Sequence, residues 1–358
     1  MVVLPRDPLV EPRLHQRPAD SGPRWRPAHV PRGREDQRLA GIGPSDDLRP
    51  DPRLRDGHRP AGLRHLQRHP PGHPVSRAAA LAGLVRPRLL PSAACDVLAG
   101  VALAGGIAGP TTLARALVCS LCLYAAGMVF NDVADAGEDA RLGRDRPIPT
   151  GRVARLHAGA FGLALVGLAL LAAPWSQVGL LPIWITAGVL FYDFAAKRLV
   201  LLGAPTLGAC RALNVSLGWA ATGAGEPTTT VWVVLASYAT FVALAVVHGQ
   251  LEDRGAQTSP ARSTAILLSA ASIAFLPAFV LPYCWLTALA AVATLVRALR
   301  APANGAAWIA WRTGVLLRGL SLFMLAVALG AGGWWEAAAI GILALCVPLL
   351  VRHSRSWS

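Results

Sequence analysis

Asn131-Asp132-Val133-Ala134-Asp135-Ala136-Gly137-Glu138-Asp139 closes a run, Thr112 to Phe130, that is apolar apart from a few small polar positions and Arg115. As a helix, such a run has about the length needed to cross a bilayer core of roughly 30 Å. At about 100° per residue, Asp132, Asp135 and Asp139 follow i, i+3, i+7 spacing and share one face, with Asn131 beside them. Three carboxylates on one face repel one another unless something cationic sits among them. Oxygen-only ligands select a hard ion such as Mg²⁺ rather than zinc. The spacing alone also fits a solvated acidic helix end that merely terminates a membrane span.

Composition sets the class around this stretch. With 54% hydrophobic residues, 15% charged residues and a mean hydropathy of +0.45 over 358 residues, the chain reads as an all-α, polytopic transmembrane helix bundle. Cys95, Cys119, Cys122, Cys210, Cys284 and Cys346 fall in or beside apolar runs without metal-ligand pairing, so they read as small buried apolar residues. The net charge of +14 resembles a nucleic-acid signal until it is located. Residues 1–78 hold 15 basic residues against 9 acids, 14 of the 28 prolines and 6 of the 9 histidines. That segment has almost no apolar periodicity and cannot offset its ordering entropy, so 1–78 is expected to be disordered, or an over-extended start. No nucleic-acid partner is expected. The remaining divisions are a membrane domain at 79–352 and a short cytoplasmic tail at 353–358.

Apolar runs are expected to span near 91–109, 112–132, 154–174, 176–195, 203–222, 229–249, 263–281, 282–299, 313–332 and 335–351, the last being the least secure. Basic residues collect in alternate loops: Arg141, Arg144, Arg146, Arg152 and Arg155; Lys197 and Arg198; Arg254 and Arg262; Arg297, Arg300 and Arg312. The intervening loops, 109–112, 174–177, 223–230 and 281–283, are nearly uncharged. By the positive-inside rule the basic loops and both termini are cytoplasmic. The expected setting is a bacterial plasma membrane, with the site on its cytoplasmic side.

Four elements gather at that side. The first is the acidic helix end. The second, Arg144-Asp145-Arg146-Pro147-Ile148-Pro149-Thr150-Gly151-Arg152, is a rigid turn whose guanidinium forks suit phosphate oxygens or simply fix topology. The third runs Tyr192-Asp193-Phe194-Ala195-Ala196-Lys197-Arg198 and holds the chain's single lysine among 33 arginines, a compact charge suited to a leaving diphosphate. A little further on, Arg211 and Asn214 fall within an apolar segment and are expected to face the bundle interior. The fourth is His248-Gly249-Gln250-Leu251-Glu252-Asp253-Arg254, where His248 and Glu252 share a face, either as part of a second metal site or as a capped helix end.

Asn-Asp-x-x-Asp-x-x-x-Asp at 131–139, Arg-Pro-Ile-Pro-Thr-Gly at 146–151 and Tyr-x-x-x-x-Lys at 192–197 together resemble the UbiA superfamily of membrane prenyltransferases over about residues 80–350. Asp-Val-Leu-Ala-Gly at 96–100 and Gly-Ala-Cys-Arg-Ala-Leu-Asn at 208–214 make the chain most similar to the EboC-like branch. The resemblance implies a bundle of about nine spans, each crossing the hydrocarbon core, around a cytoplasm-facing cavity. It also implies Mg²⁺-dependent transfer of a prenyl group from a prenyl diphosphate donor to a small-molecule or lipid acceptor. Asn131, Asp132, Asp135 and Asp139 would form the first metal–diphosphate motif, with Arg146 and Lys197 on phosphate. Asp132, Asp135 and Lys197 are thus the expected catalytic residues. Asn131, Arg146, Tyr192, Arg211, Asn214, His248 and Glu252 are expected to bind substrate, and Asp132, Asp135, Asp139, Glu252 and Asp253 to bind metal. The family's second motif usually carries aspartates spaced by four, whereas this chain has His248, Glu252 and Asp253. That departure keeps a non-catalytic isoprenoid-binding or scaffold relative as an alternative, beside a membrane transporter.

Overall fold

The computed structural model describes residues 77–106, 108–253, 259–300 and 307–354, and all regular structure among them is helical. Most of the 1–78 segment therefore lies outside the described residues. Arg77 and Ala78 do not: they open α1, Arg77–Val85, which buries Ala80 and Leu84 against Val129 and Val133. A 3-10 turn at Pro87–Leu89 leads into α2, Leu90–Leu103. Next come α3, Pro110–Arg141; α4, Arg155–Ala172; the single turn α5, Trp175–Val178; and α6, Leu181–Phe191. A π-helical turn, Tyr192–Ala196, links α6 to α7, Val200–Ala220. The remaining helices are α8, Thr229–Asp253; α9, Pro260–Phe275; α10, Cys284–Leu299; α11, Ala307–Gly330; and α12, Trp334–Ser354.

Every expected span falls on one or more of these helices, but length separates them. Six helical segments are long and apolar enough to cross a membrane, and 181–196, 288–299 and 334–345 are shorter apolar segments. The 32-residue α3 is about 48 Å long at 1.5 Å per residue, so it outruns a hydrocarbon core of roughly 30 Å. Its excess is the acidic stretch. Pro110 starts it at a position where the missing N–H costs nothing, and Gly143, at φ 64, ends it by taking the left-handed conformation beyond the last turn. Arg115, the one charge in the apolar part, caps α4: its Nε and Nη2 donate to the carbonyls of Ala172 and Ala173 at 2.9 and 2.7 Å. Exposed Trp175, Trp232 and Trp285 lie beside loops that lack charge and Trp334 and Trp335 beside the turn that ends α11, whereas exposed Trp184 sits within α6 and Trp311 next to Arg312.

Glycine brings α2, α7 and α8 close together. A Cβ on Gly100 would lie 2.0 Å from the Val215 carbonyl oxygen, one on Gly218 1.9 Å from that of Val97, and one on Gly208 2.3 Å from that of Ala239. Lipid tails are as apolar as leucine, so helices in a bilayer gain little from apolar burial between them. Close backbone approach through small residues supplies the packing instead. The same contacts bring polar side chains of α2, α7 and α8 within reach of one another.

Candidate active site

Each aspartate of the α3 face meets a cation from another part of the chain. Asp132, 3% exposed, accepts from Arg86 and from Arg146 Nη1 at 3.2 Å. Asp135 pairs with Lys197 Nζ at 2.5 Å, and that ammonium also donates to Asn131 Oδ1 at 3.3 Å. Asp139 pairs with Arg144 Nη1 at 3.0 Å. The repulsion expected along this face is therefore answered by the protein's own cations. Among the described residues no three acids, histidines or cysteines converge on a common point that would hold a metal.

Local structure explains how each cation arrives. In the 144–153 loop, the Thr150 hydroxyl donates to the Arg146 carbonyl at 2.7 Å and accepts from Arg152 Nε at 2.8 Å. Val153 N–H closes onto the Pro147 carbonyl at 3.0 Å, and Gly151 turns at φ 76. This closed loop holds Arg146 over Asp132. Lys197 rides on the π turn, whose wider ring is marked by its own N–H donating to the Tyr192 carbonyl at 3.0 Å. Gly203, whose Cβ would sit 2.9 Å from Lys197 Cα, lets α7 start tightly against that turn.

Arg86 was not foreseen as a site residue. It is the only non-glycine with positive φ among the described residues, at φ 51 and ψ 65, and it precedes a proline, which disfavours that region. Strain of this kind costs on the order of 1 kcal/mol and persists where the surroundings fix it, here by the ion pair to Asp132. Its side chain joins Asn131, Tyr192, Asp193, Arg211 and Asn214 in lining a cleft of about 790 Å³, with apolar walls from Leu123, Met128, Ile185, Val189 and Leu207. Tyr124 also faces the cleft, whereas Phe130 turns to the outer groove between α3 and α4, against Gly162 and Phe194.

The inner end of the cleft is a buried polar node. Asp96 is fully buried and accepts from Arg211 Nη2 at 3.0 Å, the Tyr238 hydroxyl at 2.7 Å and Asn214 Nδ2 at 3.1 Å. Arg211 also donates to the Ser92 carbonyl at 3.1 Å and lies over the rings of Tyr124 and Tyr238 at 5.5 and 5.9 Å. Its Nε and Nη1 are buried without a hydrogen-bond partner. The expected inward aim of Arg211 and Asn214 corresponds to this arrangement. Asp96 entered only through the 96–100 segment, without a site role, and Tyr238 was not singled out, although an aspartate in an apolar run needs a counter-charge and Arg211 was the available one.

His248 lies elsewhere. It is fully buried between α8, α9 and α11, with Nδ1 on the Thr313 hydroxyl at 3.0 Å and Nε2 on the Ser263 hydroxyl at 2.7 Å. Arg312 Nη1 reaches Ser263 and Thr264 at 3.0 and 3.2 Å. Both ring nitrogens are engaged by hydroxyls of neighbouring helices. The side chains of Glu252 and Asp253 lie outside the described residues.

A family model described as the UbiA prenyltransferase family matches residues 95–311. Curated relatives include a protoheme IX farnesyltransferase of Rhizobium johnstonii, 33% identical over 143 residues covering 38% of this chain and 45% of that one. Another is a digeranylgeranylglyceryl phosphate synthase of Natronomonas pharaonis, 30% identical over 169 residues covering 46% and 61%. The chain thus spans about half the length of the curated relatives it matches. A solved structure of a UbiA homolog from Archaeoglobus fulgidus, bound to GPP and Mg²⁺, aligns with TM-score 0.50 and 15% identity over 71% of this chain and 99% of that one. With the family match extending over more than half of its residues, the chain belongs to the UbiA prenyltransferase family.

Proposed function

We propose that this protein is an integral-membrane prenyltransferase that moves an isoprenyl group from a prenyl diphosphate to a small acceptor with Mg²⁺. The observation that carries this reading is the meeting of Asn131, Asp132 and Asp135 with Arg86, Arg146 and Lys197 at an apolar-walled cleft. An isoprenoid diphosphate has the same division, a highly charged head on a hydrocarbon chain. The donor set of the α3 face is made of oxygens alone, which fits a hard divalent cation. Asp132 and Asp135, with Asp139 further along the same face, would hold Mg²⁺ once diphosphate draws their arginine and lysine partners away, with Glu252 and Asp253 as further candidates. When bound, the ion neutralises charge on the departing diphosphate.

The chain's own residues do the rest. Arg86, Arg146 and Lys197 exchange carboxylate oxygens for diphosphate oxygens and stabilise the charge that develops as the carbon–oxygen bond breaks. The apolar walls would hold the prenyl chain and exclude water, and the Tyr124 and Tyr192 rings in the same lining would stabilise a cationic carbon beside them. The Asp96–Arg211–Asn214 node closes the inner end and presents donors to the acceptor. The distribution of basic loops supports a cytoplasmic site in a plasma membrane. Counting α2 and the three shorter apolar segments with the six long ones supports about ten crossings.

Purified protein given tritiated farnesyl or geranylgeranyl diphosphate should release diphosphate only with Mg²⁺, and native membranes should carry the label into a prenylated product. Absence of release with every donor length would refute the reading. The engagement of His248 by Thr313 and Ser263 favours a second reading, a relative that binds the donor without turning it over. Mg²⁺-dependent donor binding without diphosphate release would identify it.

A further inference from the structure

Four aspartates are buried among the described residues: Asp96, Asp132, Asp139 and Asp193. Three have an arginine partner. Asp193, 3% exposed and lining the cleft, makes no side-chain hydrogen bond or ion pair to another described residue, although Lys197 lies one turn away. The ammonium of that lysine is spent on Asp135 and Asn131, so it acts on Asp193 only through its charge and makes no direct contact. Burying a carboxylate without a partner costs several kcal/mol, so a chain that pairs its other buried acids leaves one bare where a ligand completes it. A π turn inside an α-helical segment is itself a costly device that recurs at functional positions.

Position says what that ligand supplies. Asp193 lines the central cleft with Tyr192, Cys210 and Arg211, and it also lines a second, polar pocket of about 520 Å³ with Arg155, Lys197 and Arg198. It therefore stands between the chamber assigned to the reacting carbon and a basic pocket outside it. A cation would already be served by the protein's own side chains. A bare carboxylate facing the cleft suits a neutral group that brings a hydrogen, an O–H or N–H.

We infer that Asp193 is the residue that receives the acceptor: it accepts a hydrogen bond from the acceptor's nucleophilic O–H or N–H and takes its proton. The inference rests on the prenyltransferase reading above. The carbon–oxygen bond to diphosphate breaks and its electron pair leaves with diphosphate. The acceptor's oxygen or nitrogen forms the new bond to carbon with its lone pair. The electrons of its X–H bond stay on that atom, and the proton goes to a carboxylate oxygen of Asp193. The proton then leaves through the pocket bounded by Arg155, Lys197 and Arg198. The substrate class that follows is an acceptor attacking through a hydroxyl or amine.

The test partitions two reactions in native membranes that supply the endogenous acceptor, using tritiated farnesyl and geranylgeranyl diphosphate. In Asp193→Asn, label in prenylated product should fall by about two orders of magnitude or more, the usual worth of a positioned base. Mg²⁺-dependent diphosphate release, with free prenol as product, should stay within about threefold, since this group takes no part in leaving-group stabilisation. Asp193→Glu should restore part of the transfer. Calorimetric binding of inorganic diphosphate with Mg²⁺ should be unchanged in Asp193→Asn, which a misfolded variant would not show. Transfer within about threefold of wild type, within the scatter of such comparisons, would overturn the assignment. Loss of transfer and release in equal proportion would overturn it too. Wild-type protein that releases no diphosphate would instead refute the prenyltransferase reading on which it stands.

Discussion

Replacing Asp96 by asparagine should cost far more stability than its size suggests. Asp96 and Arg211 are 0% and 8% exposed at their side chains and 3.0 Å apart. In the wild type the carboxylate is served by Arg211, Tyr238 and Asn214, while Arg211 already carries two nitrogens without a partner. Removing the negative charge leaves the guanidinium buried with no counter-charge, a loss of about 3–5 kcal/mol, or roughly two to four decades in the folding equilibrium. Arg211→Met should cost less, because Tyr238 and Asn214 still donate to Asp96. The double variant removes both charges, and a buried pair replaced by neutral groups is often close to harmless. Its loss should therefore fall short of the sum of the single losses by about 1–3 kcal/mol. Equilibrium unfolding in mixed micelles, followed by tryptophan fluorescence, measures all four proteins. Simple additivity, or an Asp96→Asn protein within about 0.5 kcal/mol of wild type, would refute the argument.

Three further outcomes follow from the same geometry. Because Arg86, Arg146 and Lys197 occupy the carboxylates that Mg²⁺ would use, saturating inorganic diphosphate should tighten Mg²⁺ binding by about 5–150-fold, and reciprocally; independent calorimetric affinities would contradict this. Arg86→Gly relieves the left-handed backbone but removes a cation from the site, so the fold should persist while affinity for diphosphate with Mg²⁺ falls about 10–100-fold. Gly218→Ala places a methyl 1.9 Å from the Val97 carbonyl oxygen and must separate α2 from α7, lowering stability by about 1–3 kcal/mol in the same unfolding assay.

Much of this arrangement is legible in one dimension because membrane helices announce themselves by length and charge. The acidic face of α3 follows from a 3.6-residue period, and its cations come from segments already conspicuous for arginine or for a single lysine. Asp96 was legible in principle, since a charge in an apolar run demands a partner, but choosing Arg211 and Tyr238 requires knowing that glycines bring α2, α7 and α8 together. Arg86 was not legible, because its importance lies in a backbone conformation that no composition reveals. The partners of His248 were not legible either, because spacing on one helix says nothing about the hydroxyls that α9 and α11 bring to the imidazole.

Mg²⁺-dependent diphosphate release by the purified protein, compared with that of Asp135→Asn, bears most directly on the central claim. That substitution keeps the size of the side chain while freeing Lys197 and removing a carboxylate from the α3 face. Release by the wild type and a loss of about two or more orders of magnitude in the variant is the result expected when a charge acts on the departing diphosphate. Equal Mg²⁺-dependent release by the two proteins would contradict it.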